Sequence, residues 1–100
     1  MTLTTYRLAR HLRNHQLYVQ LDGSPSTFES SDVSCGIQSG YYNQSDKQVL
    51  IRLSNNIPSD LEKKLRSAER GLDNIGVRFM IYNGTSALPL EQYFKRWQTR

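Results

Sequence analysis

Leu8 and Leu12 stand one helical turn apart near the start of the chain, and Thr4 and Thr5 just before them can accept from the amides of a first turn. This spacing predicts a helix over residues 5–14. At residues 17–21 the period drops to two: Leu17, Val19 and Leu21 alternate with Tyr18 and Gln20, and Asp22-Gly23 follows as a turn, which predicts a strand. Ser, Thr and Pro dominate residues 24–31, where side chains compete for backbone groups, so a loop or a ragged edge strand holding Phe28 is expected. Val33, Cys35 and Ile37 then alternate with Ser34, Gly36 and Gln38. That pattern leads through Gly40, Tyr41 and Tyr42 to a polar turn at residues 43–46 and a strand over 47–54, a hairpin in outline.

The strongest helical pattern covers residues 58–74. Leu61, Leu65, Ala68 and Leu72 recur at four, three and four residues, Pro58 blocks propagation upstream, and Ser59 precedes Glu62 by the three residues of a capping box. Asn74 and Gly76 can end the helix in a left-handed conformation, after which Val77, Phe79 and Ile81 alternate with Arg78, Met80 and Tyr82 as a strand. Asn83-Gly84 signals a hairpin with a short return over 85–88. Pro89 then opens a last helix with Leu90, Tyr93, Phe94 and Trp97 along one side. The sum is a single α+β domain over residues 1–100: two layers, a mostly antiparallel sheet with helices packed on one face. Residues 46–82 read as a β-α-β unit, whose strands would be parallel neighbours.

Composition narrows the function classes. A chain of 100 residues with 37% hydrophobic and 22% charged residues is too short for two independent cores. No apolar run reaches the roughly 18 residues of a membrane span, and the charged start lacks the apolar stretch of a secretory signal, so a cytoplasmic protein is expected. Cys35 stands alone and can form no internal disulfide. The net charge of +4 conceals a division: residues 1–21 carry three bases and no acid, 22–46 four acids and no base, and 47–100 ten bases and five acids. Such segregation is what separate positive and negative surfaces would produce.

No catalytic, cofactor or metal signature emerges. His11 and His15, four residues apart on the first helix, share a face but lack a third ligand at any recognisable spacing. Cys35 falls in an alternating apolar pattern and reads as a small core residue. Gly36 and Gly40 precede a strand, whereas a phosphate loop needs a following helix. The Leu17-Tyr18-Val19 string is superficially similar to the first-strand motif of RNA-recognition-motif domains. The basic-Gly-aromatic-Gly-aromatic companion is missing, so that resemblance is not adopted.

What remains is a binding surface. Arg7, Arg10 and Arg13 advance by three and drift around the first helix, whereas Lys63, Arg66 and Arg70 keep closer to one line opposite the second helix's apolar stripe. Lys95, Arg96 and Arg100 add charge at the end. These basic helices, with Tyr41 and Tyr42 as loop aromatics able to stack, lead to the expectation of a small non-enzymatic protein that docks on nucleic acid or a nucleoprotein complex. Tyr18, Arg52, Arg78 and Tyr82 are expected together on the sheet face opposite the helices. The alternative is a protein-interaction module, such as a small inhibitor, adaptor or phage-type modulator, that binds a larger protein machine. A homodimer is compatible with either.

Overall fold

The computed structural model describes residues 3–98, with side chains through residue 95. Helix α1 spans Thr5–Asn14, and the Thr4 hydroxyl caps it by accepting from the Arg7 amide at 3.1 Å. Thr5 instead turns inward beside Leu8, Ala9 and Leu12, where its hydroxyl is buried with no hydrogen-bond partner among the described residues. Gln16 takes a left-handed φ of 64° and reverses the chain, so Leu17 is fully buried before β1, Val19–Leu21, begins.

Strands β1, β2 (Thr27–Ser30), β3 (Ile37–Asn43) and β4 (Gln48–Leu53) form an antiparallel meander. Helix α2, Leu61–Arg70, carries the chain to β5, Arg78–Tyr82, which pairs parallel to β4. Strand β6, Ala87–Pro89, pairs antiparallel to β5, and α3 follows over Leu90–Gln98. The sheet has six strands in chain order, so the parallel β4-α2-β5 unit read from the sequence is present. The side chains of Arg96 and Trp97, and Arg100 altogether, lie outside the described residues.

Three local expectations need correction. Residues 27–30 are no edge: β2 lies between β1 and β3, and the Phe28 ring fills the core beneath Gly40, where a Cβ would run into it. Residues 33–35 form a 3-10 turn, because the Asp32 carboxylate accepts from both the amide and the hydroxyl of Ser34, at 3.0 and 2.6 Å, and holds the chain out of a ladder. Cys35 is buried as the pattern implies, yet Val33 is 57% exposed. Helix α2 is shorter than 58–74, and the Ser59–Glu62 capping box does not form. Asp60 occupies the cap without a side-chain cap bond, and Glu62 pairs forward with Arg66 at 2.8 Å instead of reaching back. After Gly71 the chain continues as a 3-10 turn, Asp73–Ile75.

Leu8 and Leu12 of α1, Leu61 and Leu65 of α2, and Leu90 and Phe94 of α3 join Val19, Phe28, Ile37, Val49, Ile51 and Phe79 of the sheet in one core. Each fully buried large apolar side chain contributes about 1.5–3 kcal/mol. Among the described residues all three helices therefore cover the same sheet face, and no helix lies over the opposite one.

Candidate nucleic-acid interface

Both basic helices lie on the covered side, and their geometry follows from their apolar stripes. With Thr5, Leu8, Ala9 and Leu12 against the sheet, a turn of 100° per residue puts Arg7 and Arg10 on the far side of α1. With Leu61, Leu65 and Ala68 buried, Lys63 and Arg70 take the far side of α2. The two helices run antiparallel. His11 donates from Nε2 to the Ala68 carbonyl at 2.8 Å, and its ring lies against Gly71, where a Cβ would come within 2.8 Å of Cε1. One turn further along α1, Asn14 and His15 face Asp60, Lys63 and Lys64 across a cleft of about 410 Å³.

The two basic stripes thus share one outward layer. Helix α1 holds no acid. On α2, Asp60 pairs with Lys64 at 3.2 Å, Glu62 pairs with Arg66, and Glu69 accepts from the Phe79 amide at 2.7 Å, which ties the helix to β5. Among the described residues Arg10, Lys63 and Arg70 are exposed and form no ion pair. Arg13 departs from this pattern, turning to the sheet edge and donating to the Val19 carbonyl at 3.0 Å. Without Arg13 the layer carries six bases, from Arg7 to Arg70, against three acids that are each already engaged.

Between the helices the His11 and His15 rings sit 4.7 Å apart between centroids. Burial holds the His15 imidazole below its ordinary value, and the neighbouring His11 pushes in the same direction. Among the described residues no group of three or more His, Cys, Asp or Glu side chains is placed so that it could hold a metal ion.

Tyr41 and Tyr42 do not belong to this layer, nor to a loop. They are consecutive residues of β3, so they point to opposite faces. Tyr42 is 3% exposed within the core, and burial raises its phenol's pKa, so it can stack on no ligand. Tyr41 is 42% exposed, but on the sheet face away from α1 and α2. The combination of basic helices with a tyrosine pair is therefore divided between two sides of the molecule.

That uncovered face is ordered by the strand register. One row runs Thr27, Tyr41, Leu50, Met80, and the next runs Gln20, Glu29, Ser39, Arg52, with Tyr82 beside Arg52. The Arg52 guanidinium lies 5.8 Å from the Tyr82 ring centroid. A depression of about 400 Å³ opens among Asp22, Tyr41, Leu50, Arg52 and Tyr82. Tyr82, Arg52 and Arg78 occupy this face as alternation implied. Met80 lies there too, as the same alternation implied, with Leu50 paired beside it. A larger hollow, about 460 Å³, lies by Asp32, Gln38 and Ser54. Its carboxylate is held below the usual range by the two Ser34 bonds and stays charged, which repels a polyanion.

No protein-family model matches this chain, and no curated protein or solved structure is significantly similar to it. Among the described residues no helix is long and apolar enough to cross a membrane.

Proposed function

We propose that the chain is a small non-enzymatic binding protein that docks on nucleic acid, alone or within a nucleoprotein complex, through the outer surface of α1 and α2. The observation that carries this reading is the antiparallel contact of the two helices at His11 and Ala68, which sets Arg7 and Arg10 beside Lys63 and Arg70 in one layer. Phosphates neutralised by such a layer release counterions, and this supplies affinity without base-specific contacts. Lys64 and Arg66 contribute less, since Asp60 and Glu62 already offset their charge.

Fluorescence anisotropy with a labelled oligonucleotide tests the reading. Binding is expected at low salt, with a large loss in the Arg10→Glu, Lys63→Glu, Arg70→Glu triple variant and a smaller one in Arg66→Glu alone. No binding at low salt rejects it. Capture of a protein partner from lysate that survives nuclease treatment, without oligonucleotide binding, replaces it with a protein-interaction module.

A further inference from the structure

The uncovered sheet face has the composition of an interface and a charge pattern that fits itself. Tyr41 and Tyr82 are 42% and 37% exposed there, with Leu50 and Met80 half-buried between them. Tyrosine, methionine and arginine are the residue types enriched where proteins meet. The charges are divided across the strands: Asp22 and Glu29 lie on the β1–β2 side, Arg52 and Arg78 on the β4–β5 side, and the row Tyr41, Leu50 occupies the centre.

We propose that this face binds a second copy of the chain, the two sheets stacking about a two-fold axis parallel to the strands. That axis lays β3 over the partner's β4 and β2 over the partner's β5, because the sheet order is the chain order. Tyr41 then covers the partner's Leu50, and Thr27 covers the partner's Met80. Glu29 lies over the partner's Tyr82, beside the partner's Arg52, within the reach of two long side chains across sheets about 10 Å apart. Both halves repeat these contacts, as a two-fold interface requires. An axis perpendicular to the strands would instead set each arginine-bearing half against itself, and like charges facing each other oppose it.

Size sets the expected strength. Six strands about 4.8 Å apart and central strands of six or seven residues make a face of roughly 24 by 20 Å. Counted over both copies that is roughly 960 Å², below the size of stable complexes and in the range of weak, reversible ones, so the dissociation constant is expected on the order of 100 μM. The basic helix layer lies on the other side of each copy, so self-association and polyanion binding can fail separately.

Sedimentation of the full chain from about 10 μM to about 1 mM tests the proposal. A reversible monomer–dimer equilibrium is expected. Glu29→Arg or Arg52→Glu alone should weaken it about tenfold or more, and the double exchange should restore it to near the wild-type value. Both positions are exposed, and unchanged thermal unfolding of each variant separates lost association from lost folding. A monomer across the whole range, single variants that associate like the wild type, or a double variant no tighter than the singles each overturns the proposal.

Discussion

His11 Nε2 donates to the Ala68 carbonyl at 2.8 Å, a hydrogen bond between two helices 57 residues apart in sequence. It sets the spacing of α1 against α2, and Gly71 makes room for it by having no side chain where the imidazole lies. Gly71 has an ordinary right-handed backbone, so space alone excludes a Cβ there. His11→Ala should lower stability by about 1 kcal/mol. Gly71→Ala should also destabilise the wild type by displacing the ring. In the His11→Ala background the same Gly71→Ala change should instead stabilise, by about 0.5 kcal/mol, because the clash is gone and the unfolded chain is less free. Urea denaturation of the four proteins checks this reversal of sign.

The neighbouring His15 makes stability pH-dependent. Its folded value lies below the ordinary 6.5, from burial first and the charge of His11 second. Below pH 6.5 the unfolded chain therefore binds the proton more readily than the folded one, and stability falls as pH drops from 6.5 to the folded value. Thermal unfolding at pH 7.5 and 5.5 should show a lower midpoint at the acidic pH, and His15→Asn should reduce the difference.

Adjacent tyrosines should behave oppositely. Tyr42→Ala opens a cavity in the core and is expected to cost about 3–5 kcal/mol, whereas Tyr41→Ala removes an exposed ring and should cost within about 0.5 kcal/mol. Denaturant midpoints of the two variants distinguish them. Equal costs would mean that both rings contribute to the core.

The buried Thr5 hydroxyl lacks a hydrogen-bond partner among the described residues. Thr5→Val keeps the shape and removes the unsatisfied group, so a gain of about 1 kcal/mol is expected, read as a higher denaturant midpoint.

The helix layer has a measurable ionic signature. If Arg7, Arg10, Lys63 and Arg70 each meet one phosphate, the logarithm of affinity for duplex DNA should fall with the logarithm of salt at a slope of about −3.6. Lys63→Gln should reduce the magnitude of that slope by about 0.9 and weaken binding alike for unrelated sequences. Anisotropy titrations over a salt series give both quantities.

Much of the framework was legible from local spacing. Helix α1 begins and ends where Leu8, Leu12 and Thr4 place it, and the alternation from Val77 to Tyr82 identifies β5 and its outward Arg78 and Tyr82. These readings succeed because a helix or strand buries one face with a period set by its own backbone geometry. Local reasoning failed where side chains competed for the backbone. Asp32 captured Ser34 and replaced a strand with a 3-10 turn, and Glu62 chose Arg66 over the capping box.

The amino-acid sequence by itself determined the class of fold, the segregation of charge and the identity of the basic residues, since each depends on neighbours within a turn or a pleat. Tertiary structure alone decided which of those residues meet. The antiparallel seating of α1 on α2 depends on a contact 57 residues apart, and it collects arginines from one helix with lysine and arginine from the other. The sheet pleat sends Tyr41 outward, on a face remote from that layer, and Tyr42 inward to the core, because neighbouring strand residues must take opposite sides. Long-range placement of this kind rests on how the apolar stripes pack together, and no local period encodes it.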